Sequence, residues 1–577
     1  MDIEWSFASA TGLVIAALLL GVVAIKLNVR LALSRAKYRS LGGHSRLSRR
    51  IAALVPSYTF GDGQFFRADD ASTEIAIRRR AEFERLSHLF QTKYQRTLEQ
   101  TKEAARHISD LQFTETYRVP FQFSRLAKAS FPMGSFLAAS EGVKVTDLDG
   151  NVCYDLTGSY GVNLLGYDFY KACMDRGAGR VDALGPVLGA YPSLVADNVA
   201  RLARISGKDE VSFHMSGTEA VMQAVRLARY HTRRSHLVRF CGAYHGWWGD
   251  VQPGVGNPVP AHDTYTLADM SAATLEVLRR RSDIACVLVN PSQALYPNQA
   301  APADSTLIHS RRDANIDRAT YARWLKQLRT VCSERGIVLI FDEVFVGFRL
   351  ALGGAQEYFG VEADLVTYGK TVGGGLPVGV VCGDHRYMKR FRDDRPVDVC
   401  FARGTFNSHP YVMAAMNEFL RHLDTPEMKA LYGELDATWD RRTASLNRRL
   451  AERGLPVQVA HLSSIWTVCY ARSSRYNWMF QYYLRAEGLA LSWIGTGRLI
   501  FSLNYTEADF EAVAERFIAA AEAMQRGGWW EVGALGTDRA VKRRILREML
   551  GHYVAPWISG SSTPDSVVGA RPLDARL

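Results

Sequence analysis

The stretch that decides the fold is residues 336–379, which read GIVLIFDEVFVGFRLALGGAQEYFGVEADLVTYGKTVGGGLPVG. It contains two short apolar runs, Ile337–Phe341 and Leu365–Thr367, which have the length and composition of strands buried on both faces. Comparable runs occur at Leu237–Phe240 and Ala285–Val289, and helical patterns alternate with such runs along the chain. This alternation predicts an α/β fold in which helices cover both faces of a mostly parallel sheet. Such sheets bind ligands at the carboxyl ends of their strands.

The first run ends in two carboxylates, Asp342 and Glu343, which should emerge at the tip of a buried strand. No Lys or Arg lies close in sequence, and a buried carboxylate needs a partner. Such a carboxylate could bind a metal ion, act as a base or pair with a cationic ring nitrogen. The residue types therefore leave three kinds of chemistry open.

The second run leads to Lys370, which lies between a strand and the glycines 373–375. Its Gly-Lys-Thr sequence is found in nucleotide-binding P-loops, but that motif needs Gly at position 364, which is Asp, and a helix afterwards. A lysine desolvated in this setting loses its charge, becomes nucleophilic and can form a Schiff base with an aldehyde. A solvated surface lysine is the alternative.

A third segment, Met215-Ser-Gly-Thr-Glu-Ala220, opens an amphipathic helix that we extend to Tyr230. Its turn would present backbone N–H groups, the hydroxyls of Ser216 and Thr218, and the positive end of the helix dipole. The turn, with Gly217 at its centre, is therefore a candidate phosphate site. Ser and Thr are also ordinary helix caps, which is the competing interpretation.

The N-terminal residues 1–27 predict a transmembrane anchor. Phe7–Ile25 is nineteen residues without a charge, and at about 1.5 Å per residue it nearly crosses a hydrocarbon layer about 30 Å thick. We expect residues 5–27 to form the span. A cleaved signal peptide would begin with basic residues, whereas Asp2 and Glu4 precede this run. A buried core helix is the other alternative.

The charge pattern sets the expected orientation. Residues 26–61 contain eight Lys or Arg and no Asp or Glu, so the N-terminus should lie outside and the catalytic part, within 28–577, in the cytoplasm. The basic cluster should lie against anionic headgroups. Because this segment supplies most of the net charge of +11, we expect no nucleic-acid partner. The eight cysteines are scattered, which favours reduced thiols over disulfides or a zinc site.

Taken in order and spacing, the three segments resemble the class III aminotransferases of fold type I, which use pyridoxal 5'-phosphate (PLP). Residues 341–379 are similar, almost residue for residue, to the glutamate-1-semialdehyde 2,1-aminomutase branch. SGTEAVMQAVRLAR, GAYHG and GTFNSHP add further matches, and the resemblance covers about residues 120–525. It implies a three-layer α/β/α large domain, a smaller α+β domain, and a homodimer with shared active sites.

The resemblance also implies a role for each matched residue. Lys370 would hold PLP as a Schiff base and shuttle protons, and Asp342 would keep the ring nitrogen protonated. Arg125 would bind a substrate carboxylate, and no metal is expected. The other cofactor-binding residues would be Ser216, Gly217 and Thr218 at the phosphate, Tyr244, His245 and Val344 around the ring, and Thr405 at the phosphate of the neighbouring subunit.

Departures from the aminomutase pattern bear on the reaction. The stretch after Gly246 is shorter than the mobile lid of that branch, and Asn290 replaces a Glu before Pro291. A shortened lid favours two half-reactions over intramolecular exchange. We therefore predict a membrane-anchored aminotransferase that moves an amino group from a small-molecule donor to a carbonyl acceptor through pyridoxamine phosphate. A 2,1-aminomutase and a catalytically inactive membrane scaffold are the alternatives.

Outside the catalytic region, residues 72–110 predict one spacer or docking helix, with Phe83, Leu86, Phe90 and Tyr94 on its apolar side. A second, basic helix is predicted at Asp538–Leu550. The predicted division of the chain is an anchor (1–27), a basic segment and helical linker (28–118), the first part of the small domain (119–175), the PLP-binding large domain (176–400), the second part of the small domain (401–527), and a C-terminal helix with a disordered tail (528–577).

Overall fold

A seven-stranded sheet lies at the centre of the computed structural model, which describes residues 2–40, 43–111, 119–252, 254–257, 259, 261–299, 317–492, 498–531 and 536–559. Its strands are β1 (Glu210–His214), β2 (His236–Phe240), β3 (Thr264–Leu267), β4 (Ile284–Val289), β5 (Val338–Asp342), β6 (Leu365–Gly369) and β7 (Gly379–Gly383). They are arranged in the order β1-β7-β6-β5-β4-β2-β3. Only the two pairings of β7 are antiparallel. The predicted mostly parallel sheet is confirmed, and all four apolar runs lie in its strands.

Helices cover both faces of this sheet, because alternate residues of a buried strand point to opposite sides. On one face, Val338 and Ile340 of β5 pack in a cluster with the helix Gly217–Thr232. On the other face, Leu339 and Phe341 belong to the main core. The helices of this domain are Tyr167–Val181, Val195–Ser206, Gly217–Thr232, Ala272–Arg280, Arg318–Arg335, Gly354–Phe359, His385–Met388 and Pro410–Leu423, and a hairpin joins Phe391–Arg392 to Arg395–Val399.

A smaller α+β unit packs beside the large domain and is built from segments on both sides of it in sequence. The parallel pairing of Leu489–Ala490 with Val152–Asp155 joins the two parts. Its other strands are Leu137–Glu141, Lys144–Asp147, Val457–Leu462, Ile465–Tyr470 and Arg498–Ile500, and its helices are Pro426–Gly433, Leu435–Glu452, Phe480–Ala486 and Glu507–Arg526.

The single helix predicted over 72–110 is wrong, because the segment forms two helices, Thr73–Lys93 and Gln95–Ala105. The break is at Tyr94, whose φ of −122° and ψ of 32° are not helical. Asp149, in a distant turn, accepts hydrogen bonds from the backbone N–H groups of Arg96 and Thr97 at 2.8 and 2.9 Å. This carboxylate caps the second helix, and a cap from so far along the chain has no local sequence signature.

The N-terminal helix runs from Asp2 to Arg35, and its segment Gly12–Arg35 is long and apolar enough to cross a membrane. The apolar window of this helix is not buried at all against the protein. Length and composition make it a candidate span and nothing more. The remaining helices are Ser45–Leu54, Asp62–Phe65, Phe121–Ser130 and Asp538–Ser559. The tail predicted to be disordered begins at Ser559, which the structure places at the end of the helix Asp538–Ser559. The rest of that tail, residues 560–577, lies outside the described residues.

Arg79 ties the N-terminal helices to the catalytic body. Its guanidinium is fully buried and forms a bidentate ion pair with Asp69, with both N–O distances at 2.8 Å. It also donates to the carbonyl oxygens of Gly528 at 2.9 Å and Glu531 at 2.8 Å. The predicted docking role of this region is consistent with that network, and Phe83, Leu86 and Phe90 are buried as expected.

We expect Arg79→Leu to lower the free energy of unfolding by about 3–5 kcal/mol, because it leaves the buried Asp69 carboxylate without its partner. Denaturant unfolding of the full chain measures this loss. The neighbouring Arg78 is the matched control, since its ion pair with Glu531 is partly exposed on both sides. Arg78→Leu should cost less than about 1 kcal/mol, and equal losses in the two variants would contradict the network.

Candidate active site

The predicted site residues, except Arg125 and Thr405, converge at the carboxyl edge of the central sheet. Strand register explains this, because Asp342 at the end of β5 pairs with Thr367 of β6, and Gly369 pairs with Gly379 of β7. Gly379 also pairs with His214 at the end of β1. The loops that leave these strands at this edge, together with those after β2 and β4, carry Ser216, Gly217, Thr218, Tyr244, His245, Asn290, Asp342, Val344 and Lys370.

The three segments found in the sequence touch each other. A Cβ atom placed on Gly217 would lie 2.5 Å from Val344 Cγ1, and one placed on Gly369 would lie 3.2 Å from the same atom. Any larger residue at 217 would force the side chain of Val344, two residues after Asp342, to move. The turn after β1, the loop after β5 and the residue before Lys370 therefore form one compact wall.

Asp342 is the carboxylate of the site. It is buried and accepts hydrogen bonds from His245 Nδ1 at 2.7 Å, the Val344 backbone N–H at 3.2 Å and Thr367 Oγ1 at 3.3 Å. Burial lowers the pKa of the His245 imidazole, so the ring is neutral near pH 7. A carboxylate can only accept, so Nδ1 carries the proton. The other ring nitrogen, His245 Nε2, has no hydrogen-bond partner among the described residues.

Glu343, the second carboxylate predicted at this strand tip, serves the structure instead. Its side chain is buried and accepts a hydrogen bond from the backbone N–H of Ala355 at 2.7 Å. Burial raises the pKa of Glu343 to about 8, which favours its protonated form at neutral pH. Adjacent residues of a strand point to opposite sides, which separates the two carboxyl groups.

Lys370 follows β6 at the start of a short helical turn, Lys370–Gly373. Burial lowers the pKa of its amine, with Asp342 opposing the effect and Arg349 adding to it. Among the described residues, its Nζ forms neither a hydrogen bond nor an ion pair. The backbone φ is +52°, a left-handed conformation that is uncommon outside glycine and found at functional sites. These features give an amine that loses its proton more easily than a surface lysine does.

The start of the helix Gly217–Thr232 lies beside the loop after β2. Ser216 is its N-cap, and its hydroxyl accepts a hydrogen bond from the backbone N–H of Glu219 at 3.3 Å. The ordinary capping role is therefore present. The next backbone N–H groups have no partner within the helix and point out of its end, as they do at any helix start. Gly246, with φ of +93°, lies so close to Thr218 that a Cβ atom would collide with its hydroxyl.

Tyr244 and Asn290 shape the opposite side. The side chain of Tyr244 is 62% exposed, so its ring is available to a ligand. Asn290, at the position where the aminomutase pattern has Glu, donates from Nδ2 to the backbone oxygen of Tyr244 at 2.9 Å. An amide can donate this bond and a carboxylate cannot. The departure at 290 therefore holds the Tyr244 loop in place.

Three residues near Lys370 escaped the sequence analysis. The guanidinium of Arg498 lies 5.0 Å from the ring centre of Tyr296 and 5.3 Å from that of Phe345. The same Phe345 ring lies 5.9 Å from Lys370 Nζ. Arg349 is fully buried and donates to the backbone oxygens of Asn163 at 2.7 Å and Phe501 at 2.9 Å. Only the folded chain brings these segments together, and the local sequence carried no signal for them.

Arg125 and Thr405 lie away from this wall. Arg125 is exposed on the helix Phe121–Ser130, whose buried side packs against the helix Thr73–Lys93. We call these N-terminal helices the N-terminal layer. Thr405 is exposed in a turn that precedes the helix Pro410–Leu423. The expected role of Thr405 concerns a neighbouring subunit, and both roles remain predictions.

Comparison with known families identifies the family of the chain. The model of the family described as aminotransferase class-III matches residues 126–251 and 317–521, which is more than half of the chain. The chain belongs to the class III aminotransferases. This membership makes it a PLP-dependent enzyme of the transaminase and aminomutase group. Its site suits the cofactor. The amine of Lys370 matches the aldehyde of PLP, and the buried carboxylate of Asp342 matches the ring nitrogen. The exposed aromatic ring matches the pyridine ring, and the helix N-terminus matches the phosphate.

Relatives of this class III enzyme include both kinds of catalyst. A glutamate-1-semialdehyde 2,1-aminomutase from Alkaliphilus oremlandii is 35% identical over 297 residues, which are 48% of this chain and only 64% of that protein. An aminomutase of the same name from Geotalea daltonii is 29% identical over 425 residues, 67% of this chain and 90% of that protein. A solved structure described as a transaminase with PLP bound is 26% identical, covers 73% of this chain and 99% of its own, and has a TM-score of 0.58.

We expect Gly217→Ala to weaken PLP binding by about tenfold or more, because its methyl group would be forced against Val344, and such overpacking costs about 1–3 kcal/mol. A spectroscopic titration of the cofactor-free enzyme measures the Kd. Gly179→Ala is the control, since a Cβ there meets no atom within 4 Å. An unchanged Kd for Gly217→Ala would show that this turn does not approach the cofactor.

Proposed function

We propose that this chain is a membrane-anchored, PLP-dependent aminotransferase that moves an amino group from a small-molecule donor to a carbonyl acceptor. The observation that carries the proposal is the buried amine of Lys370, whose lowered pKa favours the uncharged, nucleophilic form. It lies at the same sheet edge as Asp342, an exposed tyrosine ring and a helix N-terminus. When bound, PLP supplies an aldehyde and an electron sink for the carbon that carries the amino group.

Each residue then has a physical task. Lys370 attaches the cofactor and moves a proton at the substrate carbon, because an uncharged amine can both attack a carbonyl and accept a proton. Asp342 would hold the ring nitrogen of the cofactor and keep it protonated, while His245 holds the carboxylate in position. Ser216, Gly217 and Thr218 would bind the phosphate, Tyr244 and Val344 would enclose the ring, and Thr405 would reach the phosphate of a neighbouring subunit in a homodimer.

A second candidate function is the intramolecular exchange of a 2,1-aminomutase, which the names of the relatives at 29–35% identity favour. The two functions differ in whether the enzyme must retain a released intermediate in its active site. An aminomutase has to keep its released intermediate in the closed site, whereas a transaminase releases one product before it binds the next substrate. The short stretch after Gly246 offers a smaller lid, and therefore supports the transaminase.

Arg498 is a candidate for substrate recognition beside Arg125. Its guanidinium lies over the Phe345 ring, and Lys370 Nζ lies within 6 Å of the centre of that ring. A guanidinium that stacks on aromatic rings can also bind a carboxylate through parallel hydrogen bonds. We assign a substrate carboxylate to Arg498, since Arg125 is exposed on the outer helix layer.

Membrane anchoring is the remaining part of the proposal. The N-terminal helix exposes a continuous set of large apolar side chains, with Leu13, Leu18, Leu20 and Ile25 each more than half exposed. Residues 5–27 would cross the bilayer with the N-terminus outside, because the basic residues that follow stay in the cytoplasm.

We expect Lys370→Ala to abolish the visible absorbance of the lysine-linked cofactor and to lower the transamination rate by at least about 10²-fold, since the residue also moves the proton. Absorbance and single-turnover rates measure the two effects. Lys171→Ala, at an exposed lysine on the helix Tyr167–Val181, is the control.

Purified protein without this absorbance would support the inactive scaffold instead. Loss of the band with a single amino donor and no acceptor indicates transamination, whereas turnover of glutamate-1-semialdehyde with no donor indicates the aminomutase.

We expect Arg498→Gln to raise KM for a carboxylate-bearing donor by about 10- to 100-fold, because charge-assisted hydrogen bonds contribute about 1.5–3 kcal/mol. The kcat should change less, and a donor without a carboxylate should be unaffected. Steady-state kinetics measure both constants. Arg125→Gln is the paired variant, and an effect confined to Arg125→Gln would restore the assignment that the resemblance implies.

A further inference from the structure

The N-terminal helix does not end in a flexible tether but enters the catalytic body directly. Ala36, immediately after this helix, is fully buried, and its backbone oxygen accepts a hydrogen bond from Ala268 at 2.8 Å. Ala32 and Leu33 pack against the main core near the helix Ala272–Arg280. Ala268 follows β3, so the anchor joins the body at the carboxyl edge of the sheet, where the active site also lies.

The distance from the membrane is short. The uncharged run ends at Ile25, and contact with the body begins at Ala32, seven residues or about 10 Å further along the helix. The headgroup layer on each side of the hydrocarbon is about 5–8 Å thick. The surface around the end of the helix therefore has to lie against the headgroups if residues 5–27 span the bilayer.

That surface has the composition of an interfacial one. The exposed face of the helix Ser45–Leu54 alternates cations and apolar groups, with Arg46 and Arg50 beside Leu47 and Leu54. No acidic residue occurs from 26 to 61 to neutralise it. Cations at headgroup depth with apolar groups inserted beside them are typical of helices that lie on anionic bilayers.

The loop after β2 lies next to this helix. Arg49 donates to the backbone oxygen of Asn257 at 3.3 Å, which joins the helix Ser45–Leu54 to this loop. Trp247 and Val255 on the loop are 72% and 61% exposed. We call Arg46, Leu47, Arg50, Leu54, Trp247 and Val255 the juxtamembrane surface.

The loop that carries Tyr244 and His245 is held at both ends by residues that follow the N-terminal helix. On one side, Ser40 Oγ lies 3.5 Å from Cys241 Sγ. On the other side, Arg49 reaches Asn257. A contact that fixes the position of these residues therefore also fixes the position of the loop that carries Tyr244 and His245.

We propose that the juxtamembrane surface binds the headgroups of an anionic bilayer and so holds the active-site edge of the enzyme against the membrane. This inference rests on the proposed anchoring, but it does not depend on the chemistry proposed for Lys370. It adds a second, lipid-selective contact to the span, and it orients the active-site edge toward molecules in the headgroup layer.

The test uses the full chain in nanodiscs of phosphatidylcholine alone or with phosphatidylglycerol, and measures amide hydrogen exchange. Residues 46–54 and 247–252 should exchange about tenfold more slowly in the anionic discs, because each basic residue near the surface favours anionic lipid several-fold. High salt should remove the difference. Arg46→Glu with Arg50→Glu should also remove it. The control pair Arg441→Glu with Arg448→Glu changes the same charge on an exposed face of the helix Leu435–Glu452 and should leave it intact.

Three results would overturn the inference. The first is equal exchange in both kinds of disc. The second is protection that is already complete in detergent, which would mean that a second copy of the chain covers the surface. The third is a lipid-dependent difference that survives both the Arg46 and Arg50 charge reversals and high salt. The cofactor absorbance is recorded on the same samples. If it is absent while the lipid-dependent protection persists, the proposed chemistry fails and the membrane contact stands.

Discussion

The desolvation of one amine is the constraint on which the rest of the structure depends. Burial favours the uncharged form of Lys370, and the carboxylate of Asp342 limits the shift without pairing with the amine directly. A neutral lysine of this kind has to be held by surroundings that cannot relax toward it. The close approach of Gly217, Val344 and Gly369 provides such surroundings, because three loops leave one sheet edge with no room for a further methyl group.

The two domains and the N-terminal layer are joined by buried arginines, each of which satisfies backbone oxygens from distant segments. Arg349 links the loop after β5 to Asn163 and to Phe501 of the small domain. Arg79 does the same between the N-terminal helices and the segment after the helix Glu507–Arg526. A guanidinium suits this task because it offers five donors in a fixed plane. Such joints resist sliding, which keeps the small domain in register with the lysine and Phe345.

The residues that follow the N-terminal helix and the loop after β2 are in contact with each other. Cys241 contacts Ser40, which precedes the helix Ser45–Leu54, and Asn257 contacts Arg49 within that helix. Tyr244, with its Asn290 bond, lies between Cys241 and Asn257 in sequence. A loop fixed at both ends has fewer conformations to lose when a ligand binds, so preorganisation here favours cofactor binding. The additions to the class III fold are therefore in contact with its catalytic edge and are not merely appended to its termini.

By itself, the sequence determined the parallel sheet, the lysine and aspartate at its edge, the turn that opens the helix Gly217–Thr232 and the apolar N-terminal helix. Each of these is a local pattern, in which buried strands are continuous apolar runs and the residues that end them lie at one edge. Tertiary structure alone decided which of Asp342 and Glu343 faces the site, where the helix at Tyr94 breaks, and that Arg349, Arg498 and Phe345 surround Lys370. Those outcomes depend on partners far away along the chain, such as Asp149 for Thr97 and Phe501 for Arg349. A local pattern cannot predict them, because a side chain's partner is set by how the segments pack and not by its neighbours in sequence.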